Sequence, residues 1–307
     1  MKQITRELLE AVTDGADVTC GAYSIRENAS CYDMHSTENI KIVPKKDKPG
    51  IDIYISGNTK GELVFIPAVV THSDVNDLVY NDFHIEENAD VIIMAGCGVH
   101  VDDEDASSHN GIHRFFLGKN SHAVYKERHV GSGTGKGKRL IDPVTEATLL
   151  EGAVLEMDTQ QLAGVDRTIR KTKATLEAKA KLIIHESLLT DDDNEASTQF
   201  EVMMNGEDSS VDLISRSVAK GNSIQRYESH IIGNCRCSGH SECDAILVGN
   251  GKVDAAPALF AADIDAALIH EAAIGKIAGE QIIKLETLGL TEEEAENVII
   301  EGFLAAE

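Results

Sequence analysis

The stretch EAKAKLII, residues 177–184, sets a small-polar group ahead of an aliphatic run. The same pattern returns at ENADVII (87–93), KNSHAVY (119–125), EGAVLEM (151–157), EDSSVDLI (207–214), KGNSIQRY (220–227) and GNGKVDAA (249–256). Aligning Val91, Val124, Val154, Leu182, Val211 and Val253 gives steps of 33, 30, 28, 29 and 42 residues. Ile224 falls 13 residues after Val211 and 29 before Val253. A period near 29 with a half-period of 13 predicts a solenoid whose every coil supplies two strands. Short alternating runs such as IDIYIS (51–56), VIIMAG (91–96), HRFFLG (113–118) and QFEVMM (199–204) are the strands themselves. The competing reading is a β-sandwich of irregular hairpins, but few turns carry the Asn-Gly signal that hairpins favour.

Composition agrees. The 307 residues include no Trp, and aromatics make up only 4%, so the core is built from Ile, Val, Leu and Ala. Stacked coils bury a continuous aliphatic core of that kind. The net charge of −24 argues against nucleic-acid and membrane-surface roles. No apolar run reaches the roughly 20 residues of a bilayer span, and MKQITRELLEAVTDG lacks a signal-peptide core. A cytoplasmic location is expected, where six cysteines read as metal-binding or reactive instead of disulfide-forming.

Three segments are expected. Residues 1–19 hold a short amphipathic helix, 20–268 the β-helix core, and 269–307 a helical end. Beyond His270, the residues Ile274, Ile277, Ala278, Ile282, Leu285 and Leu288 line one helical face, and Gly289 is a natural stop. Thr291 with Glu294 forms a capping box for a last helix, whose apolar face is Val298, Ile299 and Phe303.

Several motifs carry possible chemistry. GSGTGKGK (131–138) fails as a phosphate loop, because Val130 stands where Gly is required and Gly137 follows Lys136; a flexible loop is expected. GCGVHVDDEDASSHNGIH (96–113) gathers His100, His109 and His113 with four acidic residues near Cys97, a set that could bind a cation or be a solvated loop. CRCSGHSECD (235–244) reads C-x-C-x2-H-x2-C, with GHSE as a turn before Cys243. Its spacing departs from the paired ligands of structural zinc sites, and buried inert thiols are the plain alternative.

The residues SECDAILVGNGKVDAAPALFAADIDAALIHEAAIGKIAGEQ (241–281) and LGLTEEEAENVIIEGF (288–303) resemble the C-terminal half of the SufB/SufD scaffold family of the SUF iron–sulfur assembly system. NDFHIEENADVIIMAGCGVH (81–100) and HNGIHRFFLGKNSHAVYKERHVG (109–131) resemble its short archaeal-type members. The resemblance implies a mainly β fold, a right-handed parallel β-helix with helical ends. It implies paired subunits and an ABC-type ATPase partner, SufC-like, on the C-terminal helices, with Ile274, Ile277, Ile282, Leu285, Val298 and Phe303 as the docking residues. It also matches Cys243 and Glu271 to a SufB cysteine and glutamate, and His270 to a SufD histidine. A chain with all three resembles an undivided member acting as a homodimer. The large N-terminal domain of long SufB proteins and a further C-terminal helix have no counterpart in the sequence.

The expected function is a scaffold that builds a transient iron–sulfur cluster and passes it to apo iron–sulfur proteins. Cys243, supported by Cys235 and Cys237, would hold it, with His270 or Glu271 as a more exchangeable donor. Consecutive residues of an extended segment point opposite ways, so His270 and Glu271 are expected to serve different subunits' sites. Without a phosphate loop, nucleotide binding is assigned to the partner. The readings from other classes are a solenoid with a structural zinc at 235–243 and a β-helix carbohydrate-active enzyme.

Overall fold

The computed structural model describes residues 2–305. Two sheets of mostly parallel strands face one another, and from Asn76 onward the chain alternates between them, one coil placing two short strands, Arg139–Leu140 and Val144–Leu149, in the second sheet. This is the parallel solenoid that the repeat predicts. In the first sheet Val91, Ala123, Leu155, Leu182, Val211, Gly239 and Leu268 are successive cross-strand neighbours, a coil of 27 to 32 residues. Val124 and Val154, aligned with these from sequence, lie one residue out of register on the outer face. A run apolar on both faces hides such a slip, which in a strand exchanges inside for outside. Ile224 and Val253 belong to the second sheet, which explains the half-period.

Five successive coils enter their first-sheet strand through one left-handed residue: Asn88, Asn120, Gly152, Lys179 and Asp208 have φ between 54° and 69°. The amide at each of these corners donates to a carbonyl of the next coil, as Lys179 does to Glu207 at 2.9 Å. Gly, Asn and Asp tolerate this conformation, so the small-polar opening of the repeat is a steric requirement of the corner.

Helix Gln3–Val12 lies on the outer face of strand Asp90–His100. Gly96 and Gly98 make room for it: a Cβ on Gly96 would come within 2.7 Å of Val12, and one on Gly98 within 3.1 Å of Leu8. Among the described residues no helix is long and apolar enough to cross a membrane.

The C-terminal end departs from expectation. Strand Ala266–Gly275 carries His270, Glu271 and Ile274, and the first of two helices begins only at Gly279, running to Glu286. Ile274 is therefore a strand residue, and Ile277 lies between strand and helix. The last helix, Glu292–Ala305, starts at the expected capping box: the Thr291 amide donates to the Glu294 carboxylate at 2.7 Å, and the Glu294 amide to Thr291 Oγ1 at 3.2 Å. It folds back outside the first sheet, burying Ala295 and Ile300, and Ser187 donates to the Leu304 carbonyl at 3.0 Å. Ile282, Leu285, Ile299 and Phe303 are half-buried in this arrangement, while Ile283, Leu288 and Val298 are exposed.

The final coil, Lys252–Ala261 and Ala266–Gly275, has no strand beyond it, and its core-facing Leu259 and Ile274 are exposed.

Lys179 is the corner residue least suited to its conformation. Lys179→Asn should raise stability by about 1 kcal/mol, read as a higher melting temperature; an unchanged or lower one would show that the corner is unstrained.

Candidate functional site

Strand Cys237–Leu247 is unbroken, so the turn expected at GHSE does not exist. Alternation sends Cys237, Gly239, Ser241 and Cys243 into the solenoid and His240, Glu242 and Asp244 out of it. Cys237 and Cys243 share a face yet stand six residues apart, about 20 Å along a strand. Cys235, just before the strand, donates its thiol to the Met204 carbonyl at 3.6 Å. Cys235 and Cys237 thus belong to the far, aliphatic edge of the core and cannot share an ion with Cys243. The same geometry removes the zinc arrangement at 235–243, because His240 is on the opposite face from all the inward thiols.

The neighbouring strand completes the pattern. His270 pairs with Ser241, Glu271 with Glu242, and Ala272 with Cys243. His270 therefore faces inward beside Cys243, and its Nδ1 lies 3.2 Å from Ser241 Oγ. Glu271 faces outward, where its carboxylate lies 3.6 Å from His240 Nε2. One sheet thickness separates Cys243 from Glu271, so within one chain they do not meet.

Cys243 is fully buried. Burial first, then the Glu186 and Asp244 carboxylates, push its thiol up to about 12. An electropositive pocket holding a ready thiolate is not what the structure contains; a bound metal ion would have to supply the charge that displaces the proton.

The interior is divided lengthwise. One edge is aliphatic, and the other is a polar seam that sequence reading missed. Tyr125 donates to Glu127 at 2.7 Å and lies 2.7 Å from His113 Nδ1. Arg170 bridges Glu127 and Glu186, and Glu186 also accepts from Thr198 and Ser215 at 2.9 and 2.8 Å. Near the open end Ser241 joins Tyr227, Ser229 and His270. Burial pushes His113 down to about 4, whereas His129 and Arg170 hold the Glu127 carboxyl well below its usual range against the opposing effect of burial. The signal available in sequence was parity: Glu127, Arg170 and Glu186 sit at inward positions of alternating strands.

The acidic, His-rich segment 100–113 does not gather its histidines. His109 and His113 are buried inside, His109 against Asp77 at 3.0 Å, while His100 binds Ser132 and Asp102 at the rim. GSGTGKGK is ordered, not flexible: Gly135 and Gly137 donate to the carbonyls of Val101 and Asp103, at 3.0 and 2.9 Å, and Thr134 to the Asp102 carboxylate at 3.0 Å. Among the described residues two groups bring three metal-competent donors within 4.8 Å, Asp52–Asp82–His84 and His240–Glu242–Glu271.

Two outcomes follow. Arg170→Met strands two buried carboxylates and should cost about 3–5 kcal/mol, largely recovered by adding Glu127→Gln and Glu186→Gln, as read by chemical denaturation. Iodoacetamide at pH 8 should modify exposed Cys20 and Cys31 and spare Cys243 until the chain is unfolded, as read by peptide mass mapping.

A sequence profile described as "SUF system FeS cluster assembly, SufBD core domain" matches residues 77–303. The chain is 31% identical over 231 residues to an Archaeoglobus fulgidus protein named Iron-sulfur cluster assembly SufBD family protein, covering 75% of this chain and 61% of that one. A Methanothermobacter thermautotrophicus protein of the same name is 28% identical over 242 residues, 75% of this chain and 56% of its own length. A similarly named Methanocaldococcus jannaschii protein is 26% identical over 250 residues, 76% and 74% of the two chains. The chain thus spans little more than half the length of the first two.

Proposed function

The chain belongs to the SufBD core family of the SUF iron–sulfur cluster assembly system, and on that premise we propose that it is a scaffold on which a transient cluster is built where two copies meet. The observation that carries this reading is the open end of the solenoid. Cys243 and His270 face the interior in the last two first-sheet coils, next to two unpaired edge strands and exposed Leu259 and Ile274.

An unpaired edge with an uncovered core invites pairing with another strand, and a two-fold axis does so with one self-complementary surface. A second copy abutting this end would close both interiors and bring two Cys243–His270 pairs toward one another. Each chain supplies one thiol and one imidazole there, and thiolate with imidazole is a donor set that iron–sulfur chemistry accepts. The cluster is the cargo. Metal binding would drive Cys243 to thiolate, and loss of metal would restore the buried thiol, so release is favoured by the same burial that raises its pKa.

No phosphate-binding loop is present in the sequence, so ATP enters through an ABC-type ATPase partner. Its docking surface would be the exposed apolar residues of the two C-terminal helices, Ile283, Leu288 and Val298, with the half-buried Ile282, Leu285 and Phe303 supporting them. The completed product would pass to apo iron–sulfur proteins.

Anaerobic reconstitution with ferrous iron and sulfide tests the assignment. Cys243→Ala should abolish the visible cluster absorption, whereas Cys235→Ala with Cys237→Ala should leave it intact. If Cys243→Ala reconstitutes like the parent, the site is wrong. Ile274→Asp with Leu259→Asp should convert dimer to monomer in sedimentation and lower cluster yield at the same time.

A further inference from the structure

The outer face of the last two first-sheet strands carries a second constellation that the buried site does not use. His240 and Glu242 are two residues apart on strand Cys237–Leu247 and therefore share its outer face, and register sets Glu271 beside Glu242. Their donor atoms, an imidazole nitrogen and two carboxylate oxygens, all lie within 4.8 Å of one another, with His240 Nε2 and a Glu271 oxygen at 3.6 Å. Donors about 2.1 Å from one ion stand about 3 Å apart, so rotamer adjustment alone closes the set.

A further contact fixes the ring. Asp212, on the preceding coil, lies 2.8 Å from His240 Nδ1. A carboxylate there accepts a hydrogen bond from Nδ1–H, which keeps the proton on that nitrogen and leaves Nε2 as the lone-pair donor on the side of the two glutamates, the arrangement that supports metal-bound histidines. Asp52, Asp82 and His84 offer a contrast: Lys45 and Arg114 already clamp both carboxylates, so cations of the protein occupy the place of an ion. At the outer trio the surrounding charge is dominated by acids, since Asp212, Glu242, Asp244 and Glu271 face one guanidinium, Arg216, in the adjacent rows.

We propose that His240, Glu242 and Glu271, oriented by Asp212, form a divalent-metal site on the outer face that receives ferrous iron. Imidazole with carboxylates suits ferrous iron, and these harder donors exchange it more readily than thiolate would. The choice of iron rests on the reading of this chain as an assembly scaffold; the site itself does not. The structure divides the two roles by face: exchangeable iron outside on Glu271, thiolate chemistry inside on Cys243.

Anaerobic titration of the full chain with ferrous iron, and with cobalt(II) as a spectroscopic probe, decides the matter. Cys243→Ala, which removes the interior thiol, should still bind one equivalent, with weak cobalt bands and no sulfur-to-metal charge transfer. His240→Ala, Glu242→Gln and Glu271→Gln should each weaken binding at least 10-fold, and Asp212→Asn about 10-fold, with melting temperatures unchanged. Unaltered binding in the His240 and Glu242 variants, or loss of that equivalent in Cys243→Ala, would overturn the proposal. Cluster formation that fails in the parent while the outer site still binds would instead sink the scaffold reading alone.

Discussion

The in-register parallel ladder governs everything else in this molecule. Because each coil repeats the last at one strand spacing, every inward side chain has a like-placed neighbour on each side of it. An aliphatic residue is satisfied by that stacking. A charged one is not, since burial without a partner costs several kcal/mol. Arg170 is tolerable only because Glu127 and Glu186 stand on the opposing sheet at matching depth, and Glu186 only because Thr198 and Ser215 complete its lone pairs. The polar seam is thus a property of several coils together, and no single strand could sustain its part.

The same ladder explains what the sequence revealed. The small-polar opening of the repeat was legible because a left-handed corner restricts residue choice, as at Asn88, Asn120 and Gly152. The capping box at Thr291 was legible because it is a local exchange of hydrogen bonds across three residues. Register was harder to read. Val124 and Val154 mimic core residues because each stands directly beside an inward apolar residue, Ala123 or Leu155, and only pairing with adjacent coils decides which of the two is inside. The site suffered from the same limit. Cys235, Cys237 and Cys243 look like one cluster in ten residues, and the supposed turn at GHSE would have made them one. As a continuous strand the segment instead sends its thiols to opposite edges of the core and its histidine out of it.

Where the ladder stops, its logic leaves a residue of unsatisfied capacity. The final coil offers unpaired backbone and an uncovered core at Leu259 and Ile274, with Cys243 and His270 facing inward on the last two first-sheet strands. Upstream, Cys97 is buried beside a cavity of about 210 Å³ that His109 and His113 also line, its thiol pushed well up by burial and then by Glu127 and Asp77.

Alternation then does for the last strand what it does for all of them, but with a functional consequence. His270 and Glu271 are adjacent in sequence and on opposite sides of the sheet, so an imidazole faces the interior while a carboxylate faces solvent. A flexible loop could have carried both residues to a single point. A strand held on one edge by Cys237–Leu247 cannot, and that rigidity keeps a soft, buried ligand and a hard, exposed one from competing for the same ion. In the proposed dimer, joining the two falls to the second copy that would cover the open edge.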